Sequence, residues 1–122
     1  MNVTVDTRGN SKVAVIDSSE VLIHDVQDAL DLMASIRYSH DCDKMLIRKS
    51  NVTEAFFDLS TRIAGDILQK YTNYQVKLAI VGSYDGYASK SLRDFIYESN
   101  HGTQVFFLGD EAEALDKLHQ VG

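Results

Sequence analysis

The chain has 122 residues, 44% of them apolar and 25% charged, a globular mixture sized for one domain, so residues 1–122 are read as a single fold around one core. Its net charge of −6 leaves no Lys/Arg surplus to hold a phosphate backbone or an anionic lipid surface, which argues against nucleic acid and membrane as partners. No apolar run approaches the ~20 residues that cross a bilayer, the first residues lack a secretion signal's basic and apolar segments, and the lone Cys42 permits no internal disulfide; a reducing, cytoplasmic setting is expected.

Residues 2–6 and 12–17 are β-branched runs flanking Arg8-Gly9-Asn10-Ser11, whose Gly and Asn tolerate the positive φ of a tight reversal, and together they predict a hairpin. After a polar break at Ser18-Ser19-Glu20 the spacing turns helical. Val26, Ala29, Leu30, Met33 and Ile36 form one stripe, with Asp25 as N-cap and an end near Ser39. Met45-Leu46-Ile47 centres the next strand, which runs into Arg48-Lys49-Ser50-Asn51. Asn51 and Glu54 approximate a capping box, and Phe56, Ile63, Ala64, Ile67, Leu68 and Tyr71 trace an apolar face, predicting a second helix of more than four turns. Gly65 inside it is read as a close approach to the sheet.

Residues 76–81, V-K-L-A-I-V, are almost continuously apolar, as in a parallel strand covered on both faces and lying inside a sheet. The polar loop Gly82-Ser83-Tyr84-Asp85-Gly86-Tyr87 leads to a helix carrying Leu92, Phe95 and Ile96, with Asn100 and Gly102 expected to stop it in the left-handed conformation. Residues 104–108 make the last strand, and Asp110, three positions before Glu113, caps a final helix through Ala114, Leu115 and Leu118. Strands joined by helices of this length lie parallel. The expected fold is therefore α/β, a mixed, roughly five-stranded sheet with an N-terminal antiparallel hairpin followed by alternating βα units and four helices.

From Lys44 onward this order, ending in Gly109-Asp110-Glu111-Ala112-Glu113-Ala114-Leu115, resembles the STAS fold of anti-sigma-factor antagonists. In that family a serine of Asp-Ser-Ser-Gly at a helix start takes the phosphate of a partner-switching kinase. The matching stretch here is Asp58-Leu59-Ser60-Thr61, with apolar Leu59 at the phosphoacceptor position. The resemblance thus implies the topology and a docking surface near the second helix, without the phosphoswitch. The words Asp28-Ala29-Leu30-Asp31-Leu32-Met33, Phe56-Phe57-Asp58-Leu59-Ser60-Thr61, Ala64-Gly65-Asp66-Ile67-Leu68-Gln69-Lys70, Leu78-Ala79-Ile80-Val81-Gly82 and Asp94-Phe95-Ile96-Tyr97-Glu98-Ser99-Asn100 are similar to the bacterial family known as domain of unknown function 4180. That resemblance covers nearly the whole chain and implies no activity.

Ligands of open α/β sheets settle outside the carboxyl ends of the strands, where helix N-termini favour anions. Arg48 and Lys49 are the candidates to neutralise a small anion, with Ser50, Asn51 and Ser83 as polar neighbours; the competing account is that these residues cap helices and shape turns. Asp58, Ser60 and Arg62 are candidate partner-facing positions, set against the plain solvated side of a helix. Tyr84 and Tyr87 are candidate interface anchors, for a protein partner or a homodimer, or else fold back onto the chain.

Cys42 sits between Asp41 and Asp43, which oppose thiolate formation, and His24, His40, His101 and His119 lack metal-site spacing. The sequence holds no G-x-G-x-x-G, P-loop, G-x-S-x-G or H-E-x-x-H word, and its third strand ends in Arg48-Lys49-Ser50 where a receiver domain places its phosphoacceptor Asp. No catalytic residue, cofactor or metal is assigned. Two functional readings stand. One is a non-catalytic regulatory or protein-binding module, its partner itself or another regulator; the other is a small-anion-binding protein or an enzyme whose site lies in the loops after the strands.

Overall fold

A computed structural model describes residues 1–122. The hairpin pairs β1 (Asn2–Arg8) with β2 (Ser11–Asp17) in antiparallel register from Asn2↔Asp17 to Arg8↔Ser11. Its reversal uses Gly9 at φ 60°, a positive value that glycine adopts without a Cβ clash. Then follow α1 (Val26–His40), β3 (Lys44–Arg48), α2 (Ile63–Asn73), β4 (Lys77–Val81), α3 (Lys90–Asn100), β5 (Val105–Leu108) and α4 (Glu111–Gln120). The sheet runs in the order β1-β2-β3-β4-β5, with every pair after the hairpin parallel. This is the expected mixed sheet with four helices.

Because spatial order follows chain order, each crossover steps one strand in the same direction, and the right-handed rule stacks α1, α2 and α3 on one face. Ala14, Ile16, Met45, Ile47, Leu78, Ile80, Val105 and Phe107 point to that face and pack against Ala29, Ile36, Ile67, Tyr71 and Leu92. The alternate residues Val13, Leu46, Ala79 and Phe106 face the other way, where α4 alone covers them through Ala114 and Leu118. Burying each such Leu, Ile or Phe contributes ~1.5–3 kcal/mol. Asp25 and Asp110 cap α1 and α4 as expected, accepting from the N–H groups of Asp28 and Glu113.

Three expectations are corrected. The second helix does not open at Asn51: residues 49–61 form three short 3-10 turns, Lys49–Asn51, Glu54–Phe57 and Leu59–Thr61, and the α-helix begins at Ile63. Thr53 and Asp58 each accept an N–H two residues on, which closes local turns in place of helical ones, and Arg62 at φ 66° ends the last turn in a left-handed conformation. Gly65 faces open space, whereas a Cβ on Gly82 would lie 2.6 Å from the Cβ of Lys49. The close approach therefore belongs to Gly82.

Neither Asn100 nor Gly102 has positive φ. Asn100 is instead the last residue of α3, and its side-chain amide reaches the free edge of β5, donating to Phe107 O (3.0 Å) and accepting from Phe107 N–H (2.7 Å). Those two groups would otherwise lie unpaired beside the rings of Phe56, Phe57, Tyr84 and Phe95, all centred 5.7–6.4 Å from Phe107. Asn100→Ala improves helix propensity by a few tenths of a kcal/mol yet is expected to lower stability in urea unfolding by about 1–3 kcal/mol, because it strips both partners from Phe107. An unchanged midpoint would show that the clasp carries no weight.

Candidate functional site

The carboxyl ends of β2, β3 and β4 meet at a rim organised by Asn51, a fully buried polar residue. Its Nδ2 donates to Ser18 O (2.9 Å) and Glu20 O (2.8 Å), and its Oδ1 accepts from Arg48 N–H (2.9 Å). Its backbone carbonyl accepts from Leu22 N–H (2.7 Å) and Ile23 N–H (3.0 Å), and Thr53 N–H donates to Ile23 O (2.9 Å). The result is a parallel bridge, Ile23↔Val52, which prolongs the association of the β2 and β3 segments beyond their strands. Asn51 thus braces two loops, with both side-chain polar atoms and its carbonyl engaged inside the chain.

Lys49 leaves this brace across Gly82, whose missing side chain makes room for its stem. Its ammonium pairs with Glu54 (3.0 Å) and lies 5.2 Å from the Phe57 ring centre and 5.0 Å from that of Tyr87, a cation–π arrangement over two stacked rings. The Tyr87 hydroxyl and then Glu54 hold the Lys49 pKa above its ordinary value, and Lys49 foremost holds that of Glu54 below. Arg48 points elsewhere and pairs with Asp17 at 2.8 Å. Both cations of the loop are therefore matched by carboxylates of the same chain.

Tyr84 and Tyr87 turn inward. Tyr84 donates its hydroxyl to Ile80 O (2.6 Å), and its ring packs on Phe57 and Phe107; Tyr87 donates to Glu54 (3.0 Å) and stacks on Phe57 at 5.4 Å. Burial pushes the Tyr84 pKa well above the ordinary tyrosine value, with Tyr87 adding to the effect. Asp58, Ser60 and Arg62 form a separate patch at the joint before α2. There Asp58 accepts from both the N–H and the hydroxyl of Ser60, bonds that lower its pKa.

The rim encloses an open cleft of about 570 Å³ that brings Lys49, Ser50 and Ser83 together with Val21, His24, Val52, Thr53 and Glu54. Arg48, Asn51 and both tyrosines lie outside its lining. His24 shares the Asp28 carboxylate with its own backbone: Nδ1 and N–H each stand 2.9 Å from it, which lowers the pKa of Asp28. The i,i+4 spacing of His24 and Asp28 was visible in sequence, but nothing there placed His24 beside Ser83. Neither Ser50 nor Ser83 is hydrogen-bonded to His24 or Glu54, the titratable groups beside them other than Lys49. No cluster of three or more His, Cys, Asp or Glu is arranged to hold a metal ion, and no helix is long and apolar enough to cross a membrane. Burial raises the pKa of Cys42, whose Sγ donates to His40 O.

A family model described as domain of unknown function (DUF4180) matches residues 8–118. No curated protein matches the chain in sequence. Among solved structures the chain is similar to a candidate anti-sigma factor antagonist from Thermotoga maritima, at 13% identity and a TM-score of 0.47, over 95% of this chain and 93% of that one.

Each buried group left without a partner costs about 1–3 kcal/mol, so Asn51→Ala is expected to destabilise the chain in urea unfolding. Asn51→Asp is expected to cost more, since it turns a carboxylate oxygen toward the carbonyls of Ser18 and Glu20; equal losses would contradict the assigned amide orientation. The raised Tyr84 pKa stabilises the fold while the phenol is neutral. That contribution is full below the unfolded value of about 10 and is lost as pH rises beyond it. Tyr84→Phe, lacking the hydroxyl, is expected to lose about 1 kcal/mol near neutral pH and to decline less steeply above pH ~10 than the parent, as followed by thermal melts across pH.

Proposed function

We propose that this chain, which belongs to the family of domain of unknown function 4180, is a non-catalytic regulatory module of the bacterial cytoplasm that docks a protein partner on the rim at the carboxyl ends of β2, β3 and β4. The observation that carries this reading is the internal pairing of the rim: Arg48 with Asp17, Lys49 with Glu54 and two rings, Tyr84 with Ile80 O, and Asn51 with the backbone. Groups so engaged hold a surface in one shape, which reduces the ordering cost of binding a folded partner.

The cleft between Val21, Ser50 and Ser83 supplies a socket for one partner side chain, and Val21, 39% exposed, gives it an apolar lip. Asp58, Ser60 and Arg62 extend the docking face toward α2. The partner is a second copy of the chain or another regulator. The loop cations favour this reading over a free small anion at the same rim, because an incoming anion would have to displace Asp17 or Glu54 from them.

A photocrosslinking residue placed at Ser83 in the native host is expected to yield one discrete adduct, absent when it is placed at Tyr38, which is exposed on α1 far along the chain. Val21→Glu is expected to abolish that adduct while leaving the thermal midpoint unchanged. Adducts of equal yield at both positions, or an adduct indifferent to Val21→Glu, would contradict docking at the rim.

A further inference from the structure

A second cleft, of about 890 Å³, opens at the opposite end of the sheet, where β3 and β4 begin, and its polar lining includes Lys12, Lys44, Lys77 and His119 together with the carboxylates of Asp41 and Asp43. Lys44 and Lys77 are register partners on adjacent parallel strands. Their neighbours Met45 and Leu78 face the three-helix layer, so alternation turns both lysines to the α4 face. Strands lie about 4.8 Å apart, and like charges opposite one another on a sheet are destabilising. Both carboxylate side chains that line the cleft, Asp41 and Asp43, are committed to other cations. Asp41 is paired with Lys12 at 3.0 Å and Asp43 with Arg37 at 2.6 Å, while neither Lys44 nor Lys77 takes part in an ion pair.

The two ammonium groups are nevertheless held in place. Lys44 Nζ donates to Ser11 Oγ (2.9 Å) and to Val121 O (2.6 Å). Ser11 Oγ is in turn 2.7 Å from His119 Nδ1, and His119 Nε2 is 2.7 Å from Asp6, with the imidazole side chain only 5% exposed. Lys77 Nζ lies 3.1 Å from the side-chain oxygen of Gln104 when that amide is oriented to donate to Val76 O. An ammonium carries three N–H groups, so one on Lys44 and two on Lys77 have no partner within the chain. Burial first, and Lys77 after it, lowers the pKa of Lys44.

We propose that this cleft binds a phosphate dianion, carried by a small phosphorylated molecule, between Lys44 and Lys77. One dianion neutralises both cations in a single group and accepts the three spare N–H bonds, whereas a carboxylate would cancel only one charge. The volume of the cleft falls within the usual range of small-molecule sites. Asp6, His119 and Ser11 serve as positioning residues that keep Lys44 aimed into the cleft, and they leave both imidazole nitrogens occupied. This site lies at the far end of the sheet from the docking rim and stands independently of it.

The probe is inorganic phosphate, titrated at constant ionic strength against chloride while thermal unfolding is followed. A saturable rise in midpoint is expected with phosphate and not with chloride or acetate. Lys77→Met is expected to lose this response and, without phosphate, to melt no lower than the parent, because one of two repelling charges has gone. Lys90→Met, changed at a surface lysine of α3, is expected to keep the full response. The proposal is overturned by an absent or unsaturable response in the parent, by a response retained in Lys77→Met, or by a Lys77→Met protein that melts well below the parent in phosphate-free buffer. Calorimetric titration of the parent with phosphate decides the question even if Lys77→Met fails to fold.

Discussion

The amide of Asn51 is the fixed point from which the carboxyl-end rim is built. Its side chain is fully buried, and both amide atoms meet backbone groups, of Ser18 and Glu20 after β2 and of Arg48 at the end of β3. Removing it would leave peptide groups of Ser18, Glu20 and Arg48 without partners in a place that water reaches poorly, so the brace is costly to break. Everything downstream inherits its position. Val52 bridges Ile23, Lys49 is aimed over Gly82 onto the Phe57 and Tyr87 rings, and the two phenylalanines of residues 54–57 are delivered to Phe107.

Strand order explains why the molecule has two unlike ends and two unlike faces. A sheet that grows one strand at a time in one direction accumulates its crossover helices on one side, leaving α4 to cover the other. At the carboxyl ends the loops are long enough to fold on one another, and their charges cancel locally. At the amino ends the strands simply begin, and register alone sets Lys44 beside Lys77. One end thus has its polar capacity spent on its own architecture, and the other keeps cationic capacity in reserve. That difference is why docking is proposed for the first and anion binding for the second.

Much of this architecture was legible in the sequence. The alternation of periods marked the five strands and the four α-helices, though not the 3-10 turns, and Asp25 and Asp110 announced their helices because capping is local. Residues 49–61 misled because Phe56 falls on the same stripe as Ile63 and Ile67, although adjacent Phe56 and Phe57, both buried, are a pattern that 3-10 turns accommodate better than one helical face. Asn100 and Gly102 read as a helix stop, yet the use of Asn100 depends on β5 lying across from it. The roles of Asn51 and of the Lys44 and Lys77 pair rest on partners far along the chain and on strand register. Those are products of tertiary assembly that no local window displays. The cleft is a mixed case: Lys49, Ser50 and Ser83 were identifiable from the loop rule, whereas Val21, His24 and Glu54 joined them only through folding.

The central claim is that a buried amide makes a loop crossing as firm as the sheet beside it. Native-state hydrogen exchange tests this directly, because the N–H groups of Leu22 and Ile23 lie outside every strand and helix yet donate to Asn51 O, as Arg48 N–H donates to its side chain. The account predicts that these three amides exchange only through global unfolding, with protection matching that of Leu46 and Ile80 in the central strands. Exchange of Leu22, Ile23 and Arg48 at the rate of exposed loop amides, while the strands stay protected, would contradict it.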